Sequence, residues 1–360
     1  MGQPIRILVA PLDWGLGHAT RCLPVISALE QAGAAPLLAS AGNAGEYLQQ
    51  ERPELPFFEL PGYGIRYQSG NMVWNMATQL PGIWRTIQAE HSLLQRLIRQ
   101  HRIQAVISDN RYGCWSGSVP SVFIGHQLQL QLPFWLSGPV NAVHRRMLRS
   151  FSACWIPDVP GAGNLSGALS VPHARLQTRH IGHLSRFTGK AEEQPQGGSF
   201  TALALLSGPE PQRSRLEAEV LSQMQSLPGR YIVAGGRAGE VVEWSRGNVY
   251  YYSRLGTAAL LPLLAKAEVV LCRSGYSSLM DLAALGKRAL LIPTPGQTEQ
   301  LYLAARLEQQ GKAVVQQQGQ LALGEGLAAA KRLPGLQQQP QCRERLKAAV
   351  KELIILAAAD

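Results

Sequence analysis

Residues 268–300 read EVVLCRSGYSSLMDLAALGKRALLIPTPGQTEQ, and this stretch decides the fold. Two apolar runs, 268–272 and 288–293, have the length and composition of buried strands. A helical pattern lies between them, and each run ends in a turn that contains Gly, Ser, Thr or Pro. This alternation of strand and helix is typical of βαβ units, so it predicts a parallel sheet.

The same alternation extends through the rest of the chain in two sets. The first set of predicted strands comprises residues 6–11, 36–40, 57–60, 105–109, 121–125 and 154–158. The second comprises residues 201–207, 231–235, 249–253, 268–272, 288–293 and 312–316. Two such sets predict an α/β protein with two doubly wound, Rossmann-like domains that face a cleft.

A polar segment separates the two sets of strands. We expect an N-terminal domain at residues 1–188, a linker at 189–199 and a C-terminal domain at 200–340. The linker reads GKAEEQPQGGS, which is charged and rich in Gly and Gln. A helix predicted within residues 341–360 carries an apolar stripe that can pack on either domain, including back on the N-terminal one.

The composition excludes several classes of protein. Hydrophobic residues make up 46% of the chain, enough for sizeable cores, so a disordered or fibrous protein is excluded. The five cysteines never form a C-x-x-C pair, which argues against a disulfide framework or a structural zinc site. No apolar run approaches the roughly 18 residues of a membrane span, and the N-terminus lacks a signal-peptide pattern. We therefore expect a cytoplasmic protein.

A glycine-rich loop, LDWGLGHATR at residues 12–21, follows the first predicted strand. Gly15 and Gly17 permit a sharp turn and the close approach of a ligand to the main chain. A helix begins near His18, and the positive end of its dipole favours the neutral imidazole, which can accept a proton. The alternatives are a plain strand–helix turn or a dinucleotide-binding loop, although Thr20 occupies the third glycine position of G-x-G-x-x-G.

Further polar groups follow strands of the second set. The turn 273–275 (Arg273, Ser274, Gly275) opens a helix whose N-terminus suits a phosphate oxygen, and Arg273 adds positive charge. Asp281 points away from the apolar stripe of that helix, so it can accept hydrogen bonds from ribose, although a solvated Asp fits equally. Ser207 and Gly208, in the loop after another strand, can offer main-chain N–H groups to a phosphate. Glu299 and Gln300 begin a further helix near the same crevice.

Two strand ends of the N-terminal set also carry polar side chains. Asp109 ends the fourth predicted strand, where a carboxylate can orient or assist a base. His126 follows the fifth strand, where it can touch an acceptor. Both residues can equally be loop caps.

Together these loops resemble those of the GT-B glycosyltransferases. The strongest likeness is to family 28, which includes the transferase that adds N-acetylglucosamine to the peptidoglycan lipid precursor. The likeness rests on the G-x-G-H loop and on R-S-G-x-x-S-x-x-D-L-A-A-x-G-K, which begins at Arg273. It implies that His18 lies at the reaction centre, that Asp281 holds the ribose and that Glu299 and Gln300 contact the donor sugar. The lipid-precursor transferase has two Gln at this last pair, so the sugar and the acceptor stay open.

The resemblance implies an inverting, metal-independent transferase that uses a nucleotide-diphosphate sugar, with uridine favoured, and no cofactor. No Asp-x-Asp pair of the metal-dependent GT-A kind occurs in the sequence, and we expect no metal site at His180 and His183. The catalytic residues are then His18 and Asp109. The donor-binding residues are Gly15, Gly17, Ser207, Gly208, Arg273, Ser274, Gly275, Asp281, Glu299 and Gln300, and the acceptor side has Asp13, Arg21 and His126.

Two other functions stay open. A nucleotide-sugar hydrolase or epimerase on the same fold is one, because some such hydrolases share the pattern G-x-G-H-x-x-R that ends here at Arg21. A non-catalytic nucleotide-sugar-binding protein at the membrane is the other.

The chain is positively charged, and several of its arginines lie near aromatic residues in the N-terminal half. The net charge is +10, and Arg85, Arg96, Arg99 and Arg102 lie near Trp74 and Trp84. Arginines beside aromatic residues suit the surface of an anionic membrane, which would place the protein at its inner face and favour a lipid-linked acceptor. A solvated basic surface is the alternative. Nucleic-acid binding is not expected, because we find no stacking platform or recognition helix.

Overall fold

The computed structural model describes residues 3–64, 72–130, 134–188, 199–237 and 241–359. The chain divides into two compact units. Unit 1 comprises Met1–Arg186 and Gln339–Asp360, and unit 2 comprises Phe187–Gln338. Of the predicted linker, residues 189–198 lie outside the described residues.

Unit 1 is built on a parallel sheet. Its strands in the described residues are β1 (Arg6–Pro11), β2 (Ala35–Ser40), β3 (Phe57–Glu59), β4 (Ala105–Asp109), β5 (Ser121–Ile124), β6 (Ala153–Ile156) and β7 (Thr178–His180). They are ordered β3-β2-β1-β4-β5-β6-β7. The helices that accompany them are α1 (Gly17–Gln31), α2 (Gly42–Glu51), α3 (Met72–His101) and α4 (Phe134–Leu148).

Unit 2 repeats this plan. Its strands are β8 (Phe200–Leu205), β9 (Tyr231–Ala234), β10 (Glu243–Arg246), β11 (Val249–Tyr252), β12 (Ala267–Cys272), β13 (Ala289–Leu291) and β14 (Val314–Val315). The order is β10-β11-β9-β8-β12-β13-β14, and only the β10–β11 pair of these is antiparallel. The helices are α5 (Gln212–Ser226), α6 (Thr257–Lys266), α7 (Tyr276–Ala284), α8 (Thr298–Gln309) and α9 (Leu323–Lys331).

The last helix, α10 (Cys342–Ala359), belongs to unit 1. It packs on α1 and on β4. Its buried stripe contains Leu346, Ala349, Val350 and Leu353, so the 3.6-residue period of the sequence matches the face that is covered. None of the helices in the described ranges is long and apolar enough to cross a membrane.

The strand pattern explains the architecture. Ile7, Leu8 and Val9 of β1 are all fully buried, as expected for a parallel strand that helices cover on both faces. All twelve strands predicted from the sequence are present within one or two residues at most ends, which confirms the doubly wound α/β class. Two strands of the described residues are absent from the predicted sets, and both lie at sheet edges. They are β7, which has three residues, and β10, whose residues EWSR are mostly exposed and lack an apolar run.

Candidate active site

Two strand ends meet where the strand order of unit 1 reverses. β1 and β4 are neighbours, but the chain leaves β1 toward β2 and leaves β4 toward β5. In doubly wound sheets, ligands bind outside the carboxyl ends of the strands at such a point. The glycine-rich loop lies here, and Gly15 adopts a φ of +77°, which a residue with a side chain rarely does. The Leu12 N–H donates to the Asp109 carbonyl at 2.9 Å, so the loop is tied to the end of β4.

His18 in the first turn of α1 contacts Asp109 at the end of β4. The imidazole Nδ1 lies 2.7 Å from Oδ1 of Asp109. The carboxylate is fully buried, whereas the His18 side chain is 14% exposed and thus keeps access to solvent. The sequence proposed both residues for catalysis, and the structure brings them together although 91 positions separate them.

Arg21 binds the same carboxylate. Its Nε donates to Oδ2 of Asp109 at 2.5 Å, and its Nη2 donates to Oδ1. Burial alone would raise the pKa of Asp109, but the charges of Arg21 and His18 and their hydrogen bonds hold that pKa at about 2. Asp109 is therefore ionised and can only accept hydrogen bonds.

This geometry determines which nitrogen of the His18 ring carries the proton. Because ionised Asp109 only accepts, the 2.7 Å contact requires that Nδ1 carries the proton. Arg21 Nη2 also lies 2.9 Å from Nδ1, but Oδ1 of Asp109 accepts from that nitrogen. Burial, and then the charge of Arg21, lower the pKa of His18 from 6.5 against the opposing effect of Asp109. The ring is therefore neutral near pH 7, and the lone pair of Nε2 is left to accept a proton.

The sequence assigned Arg21 to the acceptor side, and the structure places it inside unit 1. Its side chain is buried, because the guanidinium binds Asp109 and also lies 3.3 Å from Nδ1 of His126. His126 is buried as well and contacts Arg21. Asp13, the third residue assigned to the acceptor side, accepts hydrogen bonds from Arg111 Nη2 and from the Tyr63 N–H, each at 3.2 Å.

The strand order of unit 2 reverses between β8 and β12, and the predicted donor loops follow these strands. Ser207 and Gly208 lie after β8 and are exposed. Gly208 has a φ of +114°, which favours glycine. After β12, Gly275 caps α7, and a Cβ at this position would meet open space. Both loops therefore lie at the carboxyl ends of the neighbouring parallel strands β8 and β12.

Arg273, which the sequence predicts to contact phosphate, makes contacts within unit 2. Its side chain is buried, and burial lowers its pKa to about 10. The guanidinium donates to the carbonyls of Ser207, Ile292, Pro293 and Gln212 and to Oε1 of Gln318. Five such contacts engage the planar donor fork, so Arg273 joins the loops after β8, β12 and β13 to one another.

Ser274 and Gln300 also make contacts within unit 2. The buried Ser274 hydroxyl donates to the Gln300 carbonyl at 2.8 Å, and the Gln300 Oε1 accepts from the Thr294 N–H at 2.8 Å. These bonds fix the start of α8 beside the start of α7. Glu299 is in the first turn of α8 and is half-buried.

Asp281 lies on α7 as predicted. Leu279, Leu282 and Ala283 are buried, whereas Asp281 is half-buried. The apolar stripe and the carboxylate therefore occupy different sides of the helix. The described residues contain no group of three His, Cys, Asp or Glu side chains placed to hold a metal ion.

One family model matches a range that begins in unit 2 and ends in α10 of unit 1. Residues 252–353 match the model of the glycosyltransferase family 28 C-terminal domain, and this range includes both α7 and the first turn of α8. Solved glycosyltransferases share the fold of nearly the whole chain. SnogD from Streptomyces nogalater has a TM-score of 0.64 at 15% identity, with 99% of this chain and 100% of that one covered. MurG of Acinetobacter baumannii has a TM-score of 0.54 at 13% identity, with 97% and 100% covered.

This chain is a glycosyltransferase with the GT-B fold, and its residues 252–353 match the family 28 C-terminal domain.

Two curated relatives of this chain share one name, UDP-N-acetylglucosamine–N-acetylmuramyl-(pentapeptide) pyrophosphoryl-undecaprenol N-acetylglucosamine transferase. The protein of Desulforudis audaxviator is 28% identical over 294 residues, which cover 78% of this chain and 76% of the relative. That of Burkholderia cenocepacia is 27% identical over 237 residues. The match spans 62% of the length of this second relative.

The sequence did not predict a second buried ion pair near the glycine-rich loop. Arg111 and Glu90 form a buried ion pair at 2.6 Å beside the glycine-rich loop. An arginine two residues after Asp109, directly beyond a buried strand, was the signal that could have drawn attention to Arg111. Glu90 lies in the interior of α3, where nothing in the sequence distinguishes it from a solvated helical carboxylate.

Proposed function

We propose that the chain transfers a sugar, with inversion, from a uridine-diphosphate sugar to the hydroxyl of a lipid-linked acceptor. The hydrogen-bonded pair His18 and Asp109, located at the reversal of strand order, is the observation that carries the proposal. The names of the relatives favour UDP-N-acetylglucosamine as the donor.

The proposed reaction follows from the protonation state of His18. The acceptor hydroxyl gives its proton to Nε2 as its oxygen forms a bond to the anomeric carbon. The bond from that carbon to the diphosphate breaks, and UDP leaves with the electron pair on the opposite face. Asp109 stabilises the imidazolium that forms, and general-base assistance of this kind contributes about 10²–10⁴ in rate.

The donor is assigned to unit 2. The N-terminus of α7 and the exposed loop at Ser207 and Gly208 can donate main-chain N–H groups to the diphosphate, which supports departure of the nucleotide without a metal. Asp281 is the proposed ribose ligand, and Glu299 with Gln300 faces the sugar in this proposal.

The acceptor is assigned to unit 1. Trp14 and Leu16, on the loop that leads to His18, are 38% and 43% exposed, which suits an acceptor with an apolar part. Trp84 and Leu80 are exposed on α3, whose more C-terminal turns carry Arg96 and Arg99. The side chain of Trp74 lies outside the described residues.

These features support a peripheral contact of unit 1 with the cytoplasmic face of an anionic membrane. Each Arg near such a surface contributes about 1 kcal/mol, and salt screens the attraction. We expect the protein to sediment with phosphatidylglycerol vesicles at low salt and to be released by added salt. Charge reversal at Arg96 and Arg99 should weaken sedimentation, whereas reversal at Arg332 of unit 2 should not. Wild-type protein that stays in the supernatant at low salt would favour a soluble acceptor.

The decisive experiment supplies purified protein with a panel of nucleotide-diphosphate sugars, with and without lipid-linked and soluble acceptors. Transfer predicts UDP release that depends on an acceptor, and the anomeric proton signal of the product shows inversion. Rapid release of free sugar without acceptor would show a hydrolase, and interconversion of sugars an epimerase. Saturable nucleotide binding without turnover across the panel would show a binding protein.

A further inference from the structure

A second ionic cluster lies beside the glycine-rich loop and takes no part in the reaction proposed above. Arg111 is fully buried. Its Nη1 donates to Oε1 of Glu90 at 2.6 Å, and its Nη2 donates to Oδ1 of Asp13 at 3.2 Å. Its Nε donates to the Pro11 carbonyl at 2.8 Å, directly before the loop. Arg111 therefore contacts both the end of β1 and the first part of the loop.

Glu90 and Tyr63 complete the cluster. Glu90 Oε2 accepts from the Gly113 N–H at 2.9 Å and from the Tyr63 hydroxyl at 3.0 Å. The Tyr63 N–H in turn donates to the second oxygen of Asp13. Both carboxylate oxygens of Asp13 are thus engaged, although its side chain is 12% exposed.

The backbone at Asn110 directs Asp109 and Arg111 to different partners. Residues two apart on a continuous strand point to the same face. Asn110 instead adopts a φ of +62°, the left-handed conformation that Asn tolerates better than most residues. Asp109 binds His18 and Arg21 of α1, while Arg111 binds Glu90 of α3 and Asp13. The end of β4 therefore anchors the loop at two points.

We propose that Arg111 is a positioning residue, which fixes the loop of residues 12–18 through Asp13 so that His18 meets the acceptor correctly. The effect on rate rests on the proposed function, whereas the effect on the loop does not. A displacement of about 1 Å at a reacting group can lower the rate 10²-fold. Arg111 holds the loop at Asp13, and Asp109 holds it at the Leu12 N–H and at His18.

The test needs variants that keep the fold. Removal of the arginine would leave the buried Glu90 unpaired, so R111K is used, which retains the charge but not the planar fork. D13N weakens the attachment of the loop and leaves Glu90 paired, because an amide offers one oxygen where Arg111 Nη2 and the Tyr63 N–H both approach. R52K is the matched control, since Arg52 of unit 1 pairs with Glu30 and Glu54.

The order of the loop is measured by ¹⁹F NMR of the full chain labelled with 5-fluorotryptophan, with the Trp14 signal assigned by W14F. The signal of Trp14 should shift and broaden in D13N and R111K but not in R52K. The signal of Trp244, which stacks on Tyr251 in unit 2 at 4.9 Å, is the internal reference. A Trp14 signal that is the same in all four proteins would overturn the proposal.

The catalytic consequence is measured as UDP release from UDP-N-acetylglucosamine, with the lipid-linked acceptor present, per folded protein. D13N and R111K should lower kcat about 10- to 100-fold and leave the affinity for UDP within about twofold. Wild-type kcat in both variants, with only a lower Tm, would show a purely structural cluster and reject the positioning role. If the wild type itself releases no UDP, the proposed function fails, and the NMR result still decides whether Arg111 orders the loop.

Discussion

Nδ1 of His18 and Oδ1 of Asp109 lie 2.7 Å apart, and this contact determines which nitrogen of the ring can accept a proton. Asp109 is ionised, so it holds the proton on Nδ1 and leaves the lone pair of Nε2 able to accept one. An amide at position 109 could instead donate to Nδ1, which would place the ring proton on Nε2.

Asp109→Asn should therefore lower kcat about 10³-fold, because the favoured tautomer can no longer accept a proton at Nε2. UDP affinity, measured by calorimetry, should stay unchanged, since the proposed nucleotide ligands are in unit 2. Glu54→Gln, at an exposed carboxylate of unit 1, is the control. A kcat equal to that of the wild type would remove Asp109 from this role.

The acid side of the pH–rate profile should report His18. Its pKa is lowered below 6.5, and the neutral form is the active one, so kcat/KM should hold through pH 6.5 and fall as the pH drops through the lowered pKa. Arg21→Gln removes a charge that lowers this pKa, so the fall should begin at higher pH. A ¹³C titration of the His18 ring checks the assignment, with Arg52→Gln as control. If the fall of kcat/KM in Arg21→Gln occurs at the same pH as in the wild type, or at lower pH, His18 is not the group that titrates.

Asp281→Ala should weaken UDP binding by about 1.5–3 kcal/mol if the carboxylate accepts hydrogen bonds from the ribose. Calorimetry with UDP measures the loss directly, and 2′-deoxy-UDP should show a smaller difference between variant and wild type. Glu325→Ala removes an exposed carboxylate from α9 of the same unit and should change nothing. If Asp281→Ala weakens UDP binding by only a few tenths of a kcal/mol, Asp281 is an ordinary solvated residue of the helix.

The variant Arg273→Lys tests whether Arg273 joins the loops of unit 2 to one another or binds phosphate. A lysine keeps the charge but cannot reach the carbonyls of three loops at once. We expect the midpoint of unit 2 in urea to fall by the equivalent of about 2–4 kcal/mol, as for the loss of a buried hydrogen-bond network. Arg288→Lys, at an exposed position, is the comparison. An unaltered midpoint with weakened UDP binding would favour the phosphate contact.

The buried pair His183 and Asp158 should make the stability of unit 1 depend on pH. Burial lowers the pKa of His183, but the contacts with Asp158 and Cys342 raise it to about 9. A raised pKa stabilises the fold fully below pH 6.5, and this contribution, up to about 3 kcal/mol, is lost as the pH rises to 9. Urea unfolding at pH 6.5 and 9 should show the loss in the wild type but not in His183→Gln. If the free energy of unfolding depends equally on pH in both proteins, His183 is not the source of the dependence.

Much of the fold was predictable because parallel strands leave a simple signal. The runs at β1, β4 and β12 are mainly apolar, and glycines mark the loops that follow them. Since such loops meet at the reversal of strand order, the neighbourhood of His18 and Asp109 followed as well.

The individual contacts were not predictable. Arg21 is equally consistent in sequence with a ligand contact and with a buried pair, and only the position of β4 beside α1 decides between them. Arg273 resembles a phosphate ligand because it precedes a helix N-terminus, yet carbonyls from Gln212 to Pro293 surround it. Such partners lie far apart along the chain, so local patterns carry no information about them.

The return of α10 to unit 1 has a consequence for the order of folding. The ribosome releases Met1–Arg186 first, but the surface of α1 that α10 covers stays open until Gln339–Asp360 has also been made. Unit 2 is continuous in sequence and can complete its core earlier. We therefore expect nascent chains that end near residue 338 to contain a protease-resistant unit 2 beside an incompletely protected unit 1, the reverse of the usual N-terminal-first order.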